Sequence, residues 1–126
     1  MHIVYYSNVT KNTERFVAKL GLPATRIEAG VPEPSIAIIP TYGDAAVPVV
    51  VLKALKDKAD RDNIVAIIGA GNMNFGRNYC AGARKLATKL GVPVIYEFEL
   101  QGTPEDVREA LAAIDTFTTE LAKETA

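Results

Sequence analysis

Apolar residues fall along the chain in two kinds of short block, separated by stretches with helical spacing. Residues 2–6, 35–40 and 64–68 are runs with little polar interruption, the pattern of strands buried on both faces of a parallel sheet. Residues 24–28 and 94–100 alternate instead, which predicts edge strands with one wet face. In the latter, Val94, Tyr96, Phe98 and Leu100 share one side. Glu97 and Glu99 take the other, where charge discourages edge-to-edge pairing. One helix is expected over residues 14–20, stopped by Gly21-Leu22-Pro23. A second carries Val51, Leu52 and Leu55 at helical spacing, with Pro48 in its first turn and Lys53, Lys56 and Lys58 late. A third spans about residues 77–90, with Tyr79, Cys80, Ala83, Ala87 and Leu90 on its apolar face, and Gly91-Val92-Pro93 ends it. The last opens on Thr103 as N-cap, Pro104 at the first helical position and two acids in the first turn. Val107, Leu111, Ile114, Phe117 and Leu121 form its buried stripe, and the residues after Leu121 are expected to fray.

Strands alternating with helices predict an α/β fold, a parallel sheet with helices on both faces. Wholly apolar strands belong in the middle and alternating strands at the edges, so the five strands read in the order 2-1-3-4-5. That is the flavodoxin-like three-layer sandwich, here one domain over residues 1–126. Its switch point lies between the first and third strands, where ligands bind beyond the carboxyl ends.

The polar residues gather at that rim. Ser7, Asn8, Thr10, Asn12 and Thr13 crowd the first strand-to-helix turn. A helix start presents unpaired N–H groups and partial positive charge, so hydroxyls and amides placed there suit a phosphate. An ordinary capped helix start is the plainer alternative, but one capping residue would suffice for it. Thr41-Tyr42-Gly43-Asp44 and Gly71-Asn72-Met73-Asn74-Phe75-Gly76 flank the same point. Tyr42 is placed to stack on a flat ring, and Gly43, Gly71 and Gly76 let backbone approach it, having no Cβ. Asn72 and Asn74 offer amides to a ring edge. Phe75 and Cys80 read as core residues. A single-phosphate ligand with a flat body, such as FMN, meets this description.

Composition narrows the alternatives. A net charge of −1 offers no basic footprint for nucleic acid. The apolar runs fall well short of the ~20 residues that span a bilayer. One cysteine excludes an intrachain disulfide and fits a reducing cytoplasm, and with a single histidine far from it in sequence the chain argues against a zinc site and against a Ser-His or Cys-His nucleophile pair. Asn74 stands where a dinucleotide fingerprint needs its third glycine, and no Gly-Lys-Ser/Thr ends a loop. The central strands end without the carboxylate that a phosphoacceptor domain needs.

These residues resemble a known family. Tyr5-Tyr6-Ser7 running to Asn12-Thr13-Glu14-Arg15-Phe16 resembles the phosphate loop of flavodoxins. Leu20-Gly21-Leu22-Pro23-Ala24-Thr25-Arg26-Ile27, Pro40-Thr41-Tyr42-Gly43, Gly71-Asn72-Met73-Asn74-Phe75-Gly76 and Phe98-Glu99-Leu100-Gln101-Gly102-Thr103 resemble the flavodoxin-like stimulatory proteins of class Ib ribonucleotide reductase. The resemblance implies an FMN protein, a redox accessory rather than a stand-alone enzyme. Its reduced flavin would react with oxygen to supply a superoxide-level oxidant. That oxidant would assemble the dimanganese-tyrosyl radical cofactor of the reductase's radical subunit, with an upstream electron donor feeding the flavin. It assigns Ser7, Asn8, Thr10, Asn12 and Thr13 to the phosphate. Thr41, Tyr42, Gly43 and Asp44 would lie beside the flavin N5 edge, and Asn72, Met73, Asn74, Phe75 and Gly76 would form the second flavin loop. Lys11, a modest phosphate contributor, stands where ordinary flavodoxins have glycine, and the stretch Asp44-Ala45-Ala46-Val47 is shorter than in some relatives. A general electron-carrier flavodoxin is the alternative; such carriers tend to be strongly acidic, and this chain is near neutral.

Overall fold

The computed structural model describes residues 1–8, 10–41, 46–72, 76 and 79–125. Its parallel strands are β1 (His2–Tyr5), β2 (Ala24–Arg26), β3 (Ser35–Pro40), β4 (Ile64–Gly71) and β5 (Val94–Glu99), in the order β2-β1-β3-β4-β5. The helices are α1 (Asn12–Leu20), α2 (Val49–Ala54), α3 (Lys58–Asp62), α4 (Ala81–Leu90) and α5 (Pro104–Thr125). The expected fold class and strand order are observed.

Successive residues of the central strands serve opposite faces. Ile3, Ile36, Ile38 and Ile68 pack under α1 and α5, with Phe16, Leu20, Ala110 and Ile114. Val4, Ala37, Ile39 and Ile67 pack under α2 and α4, with Val51, Leu55, Ala83 and Leu86. Two irregularities interrupt the register. Val65 is an extra residue of β4 opposite the Ser35–Ile36 step, and Ile95 is an extra residue of β5 opposite Ile67–Ile68. Such a bulge shifts the alternation. Val94 therefore packs in the α2/α4 layer while Tyr96 and Phe98 pack under α1 and α5, correcting the single face expected for them.

Other departures have local causes. Strand β1 ends at Tyr5, one residue early. Helix α1 begins at Asn12, because Lys11 makes the left-handed turn at φ 59° that starts it. Strand β2 stops at Arg26, and Ile27–Ala29 form a 3₁₀ turn. Pro48 lies just before α2 rather than in its first turn. Of the three residues at helical spacing, Val51 and Leu55 are buried, whereas Leu52 is 43% exposed; Val49 is 64% exposed. A separate helix, α3, was not foreseen; Arg61 fills the break before it, donating to the carbonyls of Leu55 (2.9 Å) and Lys56 (2.6 Å). Helix α4 starts at Ala81, so Tyr79 and Cys80 precede it. Helix α5 continues to Thr125 instead of fraying after Leu121, where good helix formers and no breaker follow.

The start of α5 matches the expected cap. Thr103 Oγ1 accepts the Asp106 N–H at 3.0 Å, and Asp106 Oδ2 accepts the Thr103 N–H at 2.8 Å. This reciprocal pair satisfies two backbone donors at once. The Tyr96 hydroxyl lies 2.6 Å from Asp106 Oδ1 and 2.9 Å from Glu109 Oε2. Burial works to raise the pKa of Asp106, but the hydrogen bonds from Tyr96 and Thr103 outweigh it and hold the carboxyl below its ordinary value. A depressed native pKa gives stability that is present above the unfolded value, about 3.9, and lost as pH falls through the native one. Urea unfolding at a series of pH values should show stability declining below about pH 4, less steeply in Asp106→Asn. Thr103→Ala should cost about 1 kcal/mol near neutral pH.

Just before that cap, Phe16 of α1 stacks on Phe98 of β5, ring centroids 3.7 Å apart and planes 13° from parallel. Both rings are buried. Gly102, at φ 73°, closes over them: a Cβ there would lie 2.5 Å from Phe16 Cδ1 and 2.8 Å from Cε1.

Charge is divided between the helical layers. Residues 49–62 and 81–90 carry seven Lys and Arg against three Asp. On the other face, α1 and α5 together carry seven Asp and Glu against four Lys and Arg, six of the acids on α5. No helix among the described residues is long and apolar enough to cross a membrane.

Candidate functional site

The carboxyl ends of β1, β3 and β4 surround an open hollow at the switch point. Asn8, Thr10, Asn12 and Thr13 line it from the first turn, Pro40 and Thr41 from the end of β3, and Ala70, Gly71 and Asn72 from β4. Leu100 closes the far side. None of these side chains is charged.

The first turn is built by local hydrogen bonds. Asn8 Oδ1 accepts the Thr10 N–H at 3.0 Å and the Thr10 hydroxyl at 2.6 Å. The Lys11 N–H donates to the Asn8 carbonyl at 3.0 Å. Ser7 Oγ accepts the Glu14 N–H at 3.2 Å, and the Lys11 carbonyl accepts the Arg15 N–H at 3.0 Å. The N–H groups of Asn12 and Thr13, at the very start of α1, have no such partner among the described residues. They are the donors that helix geometry directs at a guest. Thr13 is buried in the wall of the hollow, and Asn12 is half-buried beside it. Neutral donors around a helix start with no carboxylate in the lining suit a phosphate group.

The expected residues separate under this geometry. Ser7 is buried and does not line the hollow; its acceptor capacity caps α1. Lys11 is exposed on the outside of the turn. Its left-handed conformation is the one glycine adopts without cost. Lys11→Gly should therefore raise stability by about 0.5–1 kcal/mol in chemical denaturation. Phosphate-ligand binding should persist in that variant with weaker salt dependence.

Thr41 does more than line the hollow. Its hydroxyl accepts the Ala83 N–H at 3.3 Å, capping α4 from another strand. Gly82 makes that approach feasible, since a Cβ there would lie 3.1 Å from Thr41 Oγ1 and 2.7 Å from the Ala46 carbonyl oxygen. Gly71, expected in a loop, is the last residue of β4. Its bare side faces the protein: a Cβ would lie 2.9 Å from the Cys80 nitrogen and 3.1 Å from Tyr79 Cδ1. Glycine at 71 thus admits the start of α4, a different reason from the ring approach anticipated for it. Gly76 is exposed at φ 57° and lies outside the lining. The expectations for Tyr42, Gly43, Asp44, Met73, Asn74 and Phe75 fall outside the described residues.

Leu100 is the lining residue that patterning missed. Alternation placed it in the core with Phe98, but it is 46% exposed at φ 56°. Its N–H donates to the Gly71 carbonyl at 2.9 Å, which turns the chain off the strand and onto the rim. Cys80 is buried as expected, and burial, with Glu97 nearby, pushes its thiol up to about 12. It stays protonated and unreactive at neutral pH. Among the described residues no group of three or more His, Cys, Asp or Glu is placed to hold a metal ion.

Comparison with known proteins bears on the family and the fold. A family profile described as NrdI Flavodoxin like matches residues 4–111. The chain is 43% identical over 127 residues to Protein NrdI of Rhizobium leguminosarum bv. trifolii, covering 93% of this chain and 95% of that one. It is 46% identical over 114 residues to Protein NrdI of Bartonella tribocorum, covering 83% and 86% of the two. Among solved structures, two-electron reduced flavodoxin of Megasphaera elsdenii matches with a TM-score of 0.62 at 16% identity, over 90% of this chain and 98% of its own. That likeness is one of fold.

Proposed function

The chain belongs to the NrdI flavodoxin-like family, and from that membership we propose that it is the FMN-binding activator of a class Ib ribonucleotide reductase. The observation that carries the cofactor is the hollow between β1 and β3, walled by Thr13, Asn12 and Thr10 at the start of α1. These uncharged donors fit the phosphate of FMN, with Thr41, Gly71 and Asn72 at the neighbouring strand ends for the flavin body. The chemistry FMN supplies when bound and reduced is the reduction of oxygen to a superoxide-level oxidant, spent on the dimanganese-tyrosyl radical of the partner's radical subunit. The protein's own part is to hold the phosphate, orient the ring system and offer a docking surface. Val49, Val50 and Leu52 on α2, with Leu100 at the mouth of the hollow, expose apolar side chains for that contact.

The decisive experiment mixes reduced protein, oxygen and manganese-loaded radical subunit from the same source, and follows the tyrosyl radical by electron paramagnetic resonance. Radical should form, with a yield largely preserved when superoxide dismutase is added, because the oxidant passes within a complex. No radical, together with efficient electron delivery to unrelated acceptors, would replace this reading with that of a general electron carrier.

A further inference from the structure

Arg26 belongs to a stretch whose role the cofactor hollow does not explain. It ends the edge strand β2, paired in register with Tyr5 of β1. Its guanidinium leans across the end of β1, 5.7 Å from the ring centroids of both Tyr5 and Tyr6. One nitrogen, Nη2, donates to the Ser7 carbonyl at 2.8 Å. Nε and Nη2 donate to Glu28 Oε2 at 3.3 and 3.1 Å. On the remaining side, Nη1 lies 3.6 Å from Glu14 Oε1, in the first turn of α1. The side chain thus ties together the end of β1, the start of α1 and the turn after β2. Held by two carboxylates, it does not line the hollow.

Its contact with Ser7 nonetheless reaches that site. The Ser7 carbonyl and the Asn8 N–H belong to one peptide unit, and among the described residues no peptide bond is cis. In a trans peptide the two groups point in opposite directions. A cation on the carbonyl therefore sits behind an N–H directed away from it, on Asn8, a residue of the hollow's lining. Hydrogen bonds in series polarise one another, so the charge strengthens that donor while fixing its direction.

We propose that Arg26 is a positioning residue for the phosphate monoester of the cofactor, acting through the Ser7–Asn8 peptide that its guanidinium holds. The inference rests on the phosphate reading of the hollow. It sets a cation one peptide behind one donor, the Asn8 N–H, of a lining that carries no formal charge itself. Arginine suits the position because its planar fork serves a carbonyl and a carboxylate together, which a lysine ammonium does not do in fixed geometry.

The test compares FMN with riboflavin, which differs by the phosphate alone, in fluorescence-quenching titrations of apoprotein. Unmodified protein should prefer FMN. Arg26→Met should weaken FMN about tenfold while riboflavin binding changes less than about twofold. Arg26→Lys should restore part of the FMN affinity by returning the charge. Should the methionine variant not fold, the lysine variant carries the same comparison, with a loss of about threefold expected for FMN alone. Equal weakening of both flavins would reduce Arg26 to a general brace and overturn the proposal, as would an unchanged FMN affinity. Unmodified protein that binds both flavins equally would overturn the phosphate reading itself, and this inference with it.

Discussion

Gly102→Ala should be among the most damaging single substitutions in the molecule, costing roughly 2–5 kcal/mol. Two effects combine. The position sits at φ 73°, where a side chain costs about 1–2 kcal/mol. The new methyl would also enter the Phe16 ring, 2.5 Å from Cδ1. That ring cannot retreat, because it is buried and stacked on Phe98, and overpacking of this kind costs about 1–3 kcal/mol. Gly21→Ala is the matched control: its φ is 69° with nothing within 4 Å of the added Cβ, so only the backbone cost applies. Denaturant midpoints of the two variants separate ring clash from backbone strain. Equal losses would show that Phe16 yields. The Phe-Glu-Leu-x-Gly-Thr stretch gains a physical meaning here. Phe98 stacks, Leu100 turns the chain onto the rim, Gly102 passes over the stack and Thr103 caps α5.

The second large effect is on cofactor affinity. Thr13→Val removes a hydroxyl from the wall of the hollow while keeping its volume. A hydrogen bond to a charged acceptor contributes roughly 1.5–3 kcal/mol, so FMN should bind about tenfold or more weakly. Thr10→Val should lose less. The Thr10 hydroxyl already donates to Asn8 Oδ1 at 2.6 Å, and that bond must be surrendered before it serves a phosphate. Titration of apoprotein checks both values, with thermal melting of the apo form to confirm that buried Thr13 leaves the fold intact. Unchanged affinity in both variants would place the phosphate elsewhere.

Strand order was readable from sequence because burial on two faces and on one face leave different periods. β3 is apolar from Ile36 to Pro40 and lies in the middle, whereas β5 carries Glu97 and Glu99 and lies at an edge. The polar turn at the start of α1 was readable for a similar reason, since capping and anion binding draw on the same few side chains. What escaped was set by partners distant in sequence. Leu100 leaves the core because its N–H finds the Gly71 carbonyl. Gly71 continues β4 because it pairs with Glu99 of β5, and it is glycine because Cys80 takes the space beside it. Val94 changes face because Ile95 is an extra residue in the ladder. Arg26 looked like an ordinary polar residue of an alternating strand, and only the juxtaposition of β2 with the end of β1 gives it a target.

The division of charge between the helical layers means that a net charge of −1 misdescribes the molecule. With cations concentrated beside α2 and α4 and acids along α5, the protein carries a permanent dipole across its sheet. A dipole feels no net pull in a uniform field, but it does turn. Near a charged surface, an approaching molecule is rotated before it makes contact, so fewer encounters are wasted on the wrong face. That alignment operates over about one Debye length and fades as salt shortens it. The near-neutral sequence thus leaves orientation, rather than long-range attraction, as the main electrostatic contribution to how this protein meets others.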